Sequence, residues 1–323
     1  MTGMNQSLTG LQQMSDDVLR MAKLDGILMD AAVQRLSNAD EVLHSQLGKH
    51  LKKWPWKFWQ KDRCLLESSP LFDEVYYLTC HAGMVAASGM SPALHYLTYG
   101  AAAGFDPHPL FNTRWYEAGN PDIVAEGINP LVHFIKFGGS EGRSPHPLFD
   151  TRLYLDAHPR VGSSGLNPLH HYLERGGHAG LRPHWLFDGR AYLENYPDVM
   201  RTDATPLLHY LRYGLFTLYK PHWAFDPVYY LRKNPDIAKQ GINPLVHFVT
   251  QGAREGCDPS PDFRLADYVA GHAEIAVNGE NPLLHFVRGC DYERVFGTNG
   301  ATAEAPLLCA TDMGKFLKNY ETK

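Results

Sequence analysis

Six histidines, His95, His133, His171, His209, His247 and His285, stand 38 residues apart, each followed by an aromatic and then an aliphatic residue. A second column, Tyr77, Tyr116, Tyr154, Tyr192, Tyr230 and Tyr268, precedes them by 17 residues in five copies and by 18 in the first. Such self-similarity limits the fold more than any local propensity does, because a unit of this size cannot bury an apolar face alone and must stack on its neighbours. The two columns are read as structural positions of the repeat.

Within a copy the punctuation is helical. Asp150 precedes Thr151-Arg152-Leu153-Tyr154 as an N-cap, and Asp73, Asn112, Asp188 and Asp226 hold the same place, while Arg264 does not. A proline turn at 158–159, matched at 120–121, 196–197 and 234–235, ends that helix. In Asn129-Pro130-Leu131-Val132-His133-Phe134-Ile135-Lys136-Phe137-Gly138, asparagine caps and proline opens the next helix, and the glycine is expected to end it in the left-handed conformation. Leu131, Phe134 and Ile135 share one face and Lys136 lies opposite. The expected fold is all-α: a solenoid of six repeats of about 38 residues over 69–290, with a tail at 291–323.

Ahead of the array, Val18, Leu19, Met21, Leu24, Ile27, Leu28, Ala31, Val33 and Leu36 recur at helical spacing. Residues 1–48 are therefore read as an amphipathic helical or coiled-coil segment suited to self-association. Residues 49–68 read as a basic aromatic linker in which Lys49, Lys52, Lys53, Trp54, Trp56, Lys57, Trp59 and Lys61 form a membrane-contact candidate. From Leu43 to Arg63 there are six basic residues and one acidic, against a net charge of −5 for the whole chain, so nucleic acid is not an expected partner. Five separated cysteines with no CxxC suggest neither a disulfide framework nor a zinc cluster. With no exported leader or spanning segment read at the amino terminus, the expected location is the cytoplasm, peripheral to an inner membrane.

A third column, His108, His146, His184 and His222, falls in Pro-His-Pro or Pro-His-Trp turns. Turns usually face solvent. With Arg182 and Trp185, and with Lys220 and Trp223, this column is the candidate ligand stripe, in which aromatic faces and cations would hold a sugar ring or an acidic glycan. The alternative is that the tryptophans staple adjacent repeats. One histidine per repeat makes a ladder that cannot close on one ion, so no metal is expected. The chain carries no Gly-x-Ser-x-Gly, His-Glu-x-x-His or Walker loop and no Asp-x-Asp pair, so catalysis has little support and no cofactor is expected.

The pattern Leu-Phe-Asp...Tyr-Leu...Asn-Pro-Asp-Ile...Gly-Ile-Asn-Pro-Leu...His-Phe...Gly...Glu-Gly, as in 110–142 and 224–256, resembles repeats found beside bacterial glycosyltransferases and other proteins of surface-polysaccharide synthesis. The resemblance covers about two thirds of the chain and implies a pathway and protein partners such as glycosyltransferases, but no catalytic residue. Three readings follow: a non-catalytic adaptor organising enzymes or glycan; a carbohydrate-binding module or an accessory part of a glycosyltransferase without its own catalytic domain; and an enzyme whose site is built across repeats.

Overall fold

The computed structural model describes residues 56–296, and these are predominantly helical with no strand among them. The expected amphipathic segment 1–48, together with Lys49, Lys52, Lys53 and Trp54, lies outside the described residues, as does 297–323 of the tail. Trp56–Glu67, assigned from sequence to the linker, is a helix that begins directly after Pro55. Its Leu66 is fully buried and Lys61 is exposed.

Five of the six copies open with a helix whose cap side chain accepts a backbone N–H: Tyr76 to Asp73 at 2.9 Å, Trp115 to Asn112 at 2.8 Å, Leu153 to Asp150 at 3.1 Å, Ala191 to Asp188 at 3.0 Å and Tyr229 to Asp226 at 2.9 Å. Arg264 makes no such bond. The helix breaks four residues after the repeated tyrosine, at Asn120, His158, Tyr196, Asn234 and His272, with φ between −125° and −138°. In the first copy Glu74–Ser88 runs on, yet His81 at the same register has φ −136° without a following proline. His272 is likewise followed by alanine. The kink therefore comes from packing, and proline only favours it.

The closing helix corrects one expectation. Pro130–His133 is α-helical, but Phe134–Gly138 is a π turn in which Gly139 N–H donates to Phe134 O, five residues back, at 3.0 Å. The same widening occurs at Tyr96–Gly100, Tyr172–Gly176 and Phe248–Gly252. The repeated glycine is not left-handed: Gly100 has φ −61°. Four residues later the chain does turn left-handed, at Gly104, Gly142, Gly180 and Gly256 and, in the fourth copy, at Leu218. What the repeated glycine provides is space, since a Cβ at Gly100, Gly138, Gly176 or Gly252 would collide with the hydroxyl of that copy's tyrosine. The fourth copy has no π turn; Pro206–Thr217 is α-helical throughout, and Gly214 faces the Tyr210 ring instead.

The core is aromatic and repeats with the chain. Phe111, Tyr116 and Phe134 are fully buried with centroids 5.3–5.7 Å apart, and Phe149, Tyr154 and Tyr172 form the same triad at 5.4–5.9 Å. Offset and edge contacts at these distances suit the ring quadrupoles. Successive copies are tied by backbone bonds: the cap N–H of Asp73, Asn112, Asp150, Asp188 and Asp226 donates to the carbonyl of Pro107, Pro145, Pro183, Pro221 and Pro259 of the following turn at 2.8–3.0 Å. Asn167 Nδ2 also donates to Phe134 O, and Asn243 Nδ2 to Tyr210 O, each at 3.1 Å. Contacts reach further still. Arg212 of the fourth copy lies 3.7 Å from Asp73 of the first, and Lys136 lies 2.6 Å from Asp62 of the leading helix.

Candidate functional site

The first histidine column pairs with the tyrosine column. Tyr77 Oη and His95 Nδ1 are 2.8 Å apart, Tyr116 and His133 2.9 Å, Tyr154 and His171 2.8 Å, Tyr192 and His209 3.0 Å, Tyr230 and His247 2.7 Å, and Tyr268 and His285 2.9 Å. The tyrosine comes from the opening helix and the histidine from the closing one, so each bond closes its own copy. Burial raises the pKa of Tyr77, Tyr116, Tyr154, Tyr192 and Tyr230, and burial lowers that of His95, His133, His171, His209 and His247. Both partners are neutral at pH 7, which suits a hydrogen bond inside an aromatic core.

The turn column is not solvent-facing, contrary to the sequence expectation. His108, His146, His184 and His222 are each no more than 6% exposed. In each, Nδ1 accepts the backbone N–H two residues on: Leu110 at 2.9 Å, Leu148 at 3.0 Å, Leu186 at 3.1 Å and Ala224 at 3.3 Å. An Nδ1 that accepts from an amide carries no proton, so the ring proton sits on Nε2. The column extends beyond the histidines. Ser69 Oγ accepts Leu71 N–H at 3.2 Å, and Ser260 holds the corresponding place at the other end, with its hydroxyl buried and unpartnered. Carrying the register past the histidines, into Ser69-Pro70-Leu71-Phe72 and Ser260-Pro261-Asp262-Phe263, is the sequence signal that would have found both serines.

Arg182, placed by sequence in a ligand stripe, is instead held in an internal cluster. It donates to Asp188 Oδ2 at 2.5 Å, to Asp291 Oδ2 at 2.8 Å and to the carbonyl of Trp185 at 3.2 Å, and His222 Nε2 lies 3.0 Å from the same Asp291 oxygen. Asp291 sits on the last helix, Pro282–Phe296, and is 3% exposed. Burial pushes its pKa up, but His222 and Arg182 outweigh burial and hold it at about 2. Nothing in the repeat pattern announced Asp291, because the other copies carry Ala101, Gly139, Gly177, Leu215 or Ala253 in its place. Trp185 is buried, and Trp223 packs edge-on against Phe286 at 6.1 Å. Lys220, half exposed, pairs with Asp226 at 2.9 Å. The structure thus buries His184, Trp185 and His222 and leaves Arg182 and Trp223 partly covered. Only Lys220 of the expected stripe is substantially open to solvent.

No cluster of three or more metal-ligating side chains occurs among the described residues, and no helix among them is long and apolar enough to cross a membrane. Compared with known proteins, the chain matches no family model, no curated protein and no solved structure.

Proposed function

We propose that this chain is a non-catalytic α-solenoid adaptor that holds protein partners of bacterial surface-polysaccharide synthesis, glycosyltransferases among them, along an extended repeated surface. The observation that carries the reading is that the repeated tyrosines and histidines are engaged within the repeat itself. Six tyrosine–histidine pairs satisfy one another, four further histidines accept backbone amides, and Arg182 and Asp291 neutralise each other. A catalytic base or nucleophile needs a free atom at a substrate's reach, whereas a scaffold needs order and length. Contacts between the first and fourth copies, through Asp73 and Arg212, support a wound array with about three copies per turn. Large apolar side chains left outside, Val124, Phe137, Met200 and Val277, are 54–85% exposed and give a partner something to cover. The resemblance of the repeat to those beside glycosyltransferases supplies the pathway.

In the same reading the protein is cytoplasmic, self-associates through 15–51 and lies against the inner membrane through 49–61. Crosslinked capture from native cells, with the full chain and with a form lacking 1–55, tests it. Glycan-synthesis enzymes enriched by both forms and lost on Phe137→Ser support the adaptor. If neither form retains such enzymes, the reading falls and glycan binding becomes the stronger alternative. Flotation with anionic vesicles, lost when 1–55 is removed, checks the membrane contact.

A further inference from the structure

The four buried turn histidines sit at the joints between copies. Each holds its own turn closed by accepting an amide at Nδ1, and the proline just before it supplies the carbonyl that receives the preceding copy's cap N–H. In this geometry the imidazole has no room for a second proton. Adding one at Nδ1 sets N–H against N–H, so the bond to Leu110, Leu148, Leu186 or Ala224 must break, and a charge appears where little solvent reaches. Breaking the turn disturbs the proline carbonyl and with it the bond between copies.

We propose that this column is an acid-released seam: protonation of His108, His146, His184 and His222 unlocks the Pro–His turns and lets neighbouring copies part. The groups facing each ring set how strongly it resists. His108 faces Asp73 and Arg212, His146 faces His108, and His184 faces Arg182 and Arg288 with His146 and His222 on either side. His222 faces Asp291, Arg182 and Asp188. All four rings have a cation or another histidine nearby, and His108 and His222 face carboxylates as well, so charging one histidine makes charging its neighbour in the column harder while the turns stay closed. Opening a turn relieves the ring that holds it. Burial is the main cause that places His108 at about 4 and His146 and His184 at about 3 in the folded chain, and it also lowers His222 although Asp291 beside that ring pulls the other way. A histidine released into water titrates near its ordinary value of about 6.5. The open form therefore takes up protons first as pH falls, and opening becomes about tenfold easier for each histidine released and each pH unit below about 6.5. Above that value the column is silent.

The chain contains its own control. Leu71 N–H is held by Ser69 Oγ, which does the same job without titrating. Residue-resolved hydrogen exchange on the full chain at pH 7 and pH 5, corrected for intrinsic rates, is the test. Leu110, Leu148, Leu186 and Ala224 are expected to lose about twenty-fold or more in protection, while Leu71 changes little. In His146→Asn, where a side-chain oxygen accepts the amide and cannot be protonated, Leu148 alone is expected to keep its protection. Equal losses at Leu71 and the other four amides overturn the proposal, as does unchanged protection at all five. Should His146→Asn fail to fold, the comparison with Leu71 in the natural sequence decides by itself.

Discussion

Gly138 and Tyr116 should be energetically coupled, and the size of the coupling follows from the packing around them. Tyr116→Phe removes the hydroxyl bonded to His133 Nδ1 and leaves that buried ring nitrogen without its partner, at a cost of about 1–2 kcal/mol. Gly138→Ala drives a methyl group into that same hydroxyl. The ring must shift, which breaks the bond and overpacks the core by about 1–3 kcal/mol. Alanine's better helix propensity returns about 0.5–1 kcal/mol, leaving a net loss of about 3 kcal/mol. In the double variant the bond is lost only once and the hydroxyl is gone. The next neighbours of the new Cβ, Tyr116 Cζ and His133 Nδ1, are 3.2 Å away and need to yield by only a few tenths of an ångström. The pair should therefore cost about 2–3 kcal/mol, roughly 2 kcal/mol less than the sum of the singles. Denaturant unfolding of the four proteins, followed by helical circular dichroism, measures this. In the fourth copy, where Gly214 faces Tyr210 and not Tyr192, Gly214→Ala and Tyr192→Phe should add without coupling. Additivity within about 0.5 kcal/mol at Gly138 and Tyr116 would refute the reasoning.

Three further outcomes follow. Leu218 has φ 56° where four other copies have glycine, so Leu218→Gly should raise stability by about 1 kcal/mol, read as a higher denaturation midpoint; a lower one would mean that the leucine side chain contributes more than the backbone strain costs. Asp291→Asn should destabilise by about 2 kcal/mol, because it removes the carboxylate that His222 and Arg182 share and leaves Arg182 with Asp188 alone. With Asp291 at about 2 in the folded chain and near 3.8 unfolded, its contribution is full above about pH 4 and fades as pH falls towards 2, so the variant and the natural chain should converge only in strong acid. Asp106 is pushed up by burial to about 6, above its unfolded value, so its charged form costs stability as pH rises from about 4 to 6 and that cost persists at neutral pH. Asp106→Asn should stabilise by about 2 kcal/mol at pH 7.5 and have little effect at pH 4, which melts at the two pH values check.

Much of the fold was legible because the repeat prints its requirements six times. The tyrosine and histidine columns, the cap acids and the prolines recur where the backbone needs them, and the helices follow from caps and breakers whose action is local. The third histidine column was misread because a turn's usual exposure was applied to a turn that packs against its neighbours. The repeated glycine was placed at a left-handed end on the strength of its position near the end of a helix, whereas the residue that turns left-handed comes four places later. His81 and His272 show the converse, a kink kept where the proline is missing.

The sequence by itself determined the helical character of the described residues and the spacing of the positions that hold them, since capping, helix breaking and periodic burial act within a few residues. It could not say which atoms meet. That Tyr116 bonds His133 and thereby excludes a side chain from Gly138, that His146 is buried with one face committed to an amide, and that Asp291 closes on Arg182 109 residues away were decided only by tertiary packing. The physical reason is that burial and pairing are properties of neighbours in space, and a linear pattern records them only where the architecture repeats.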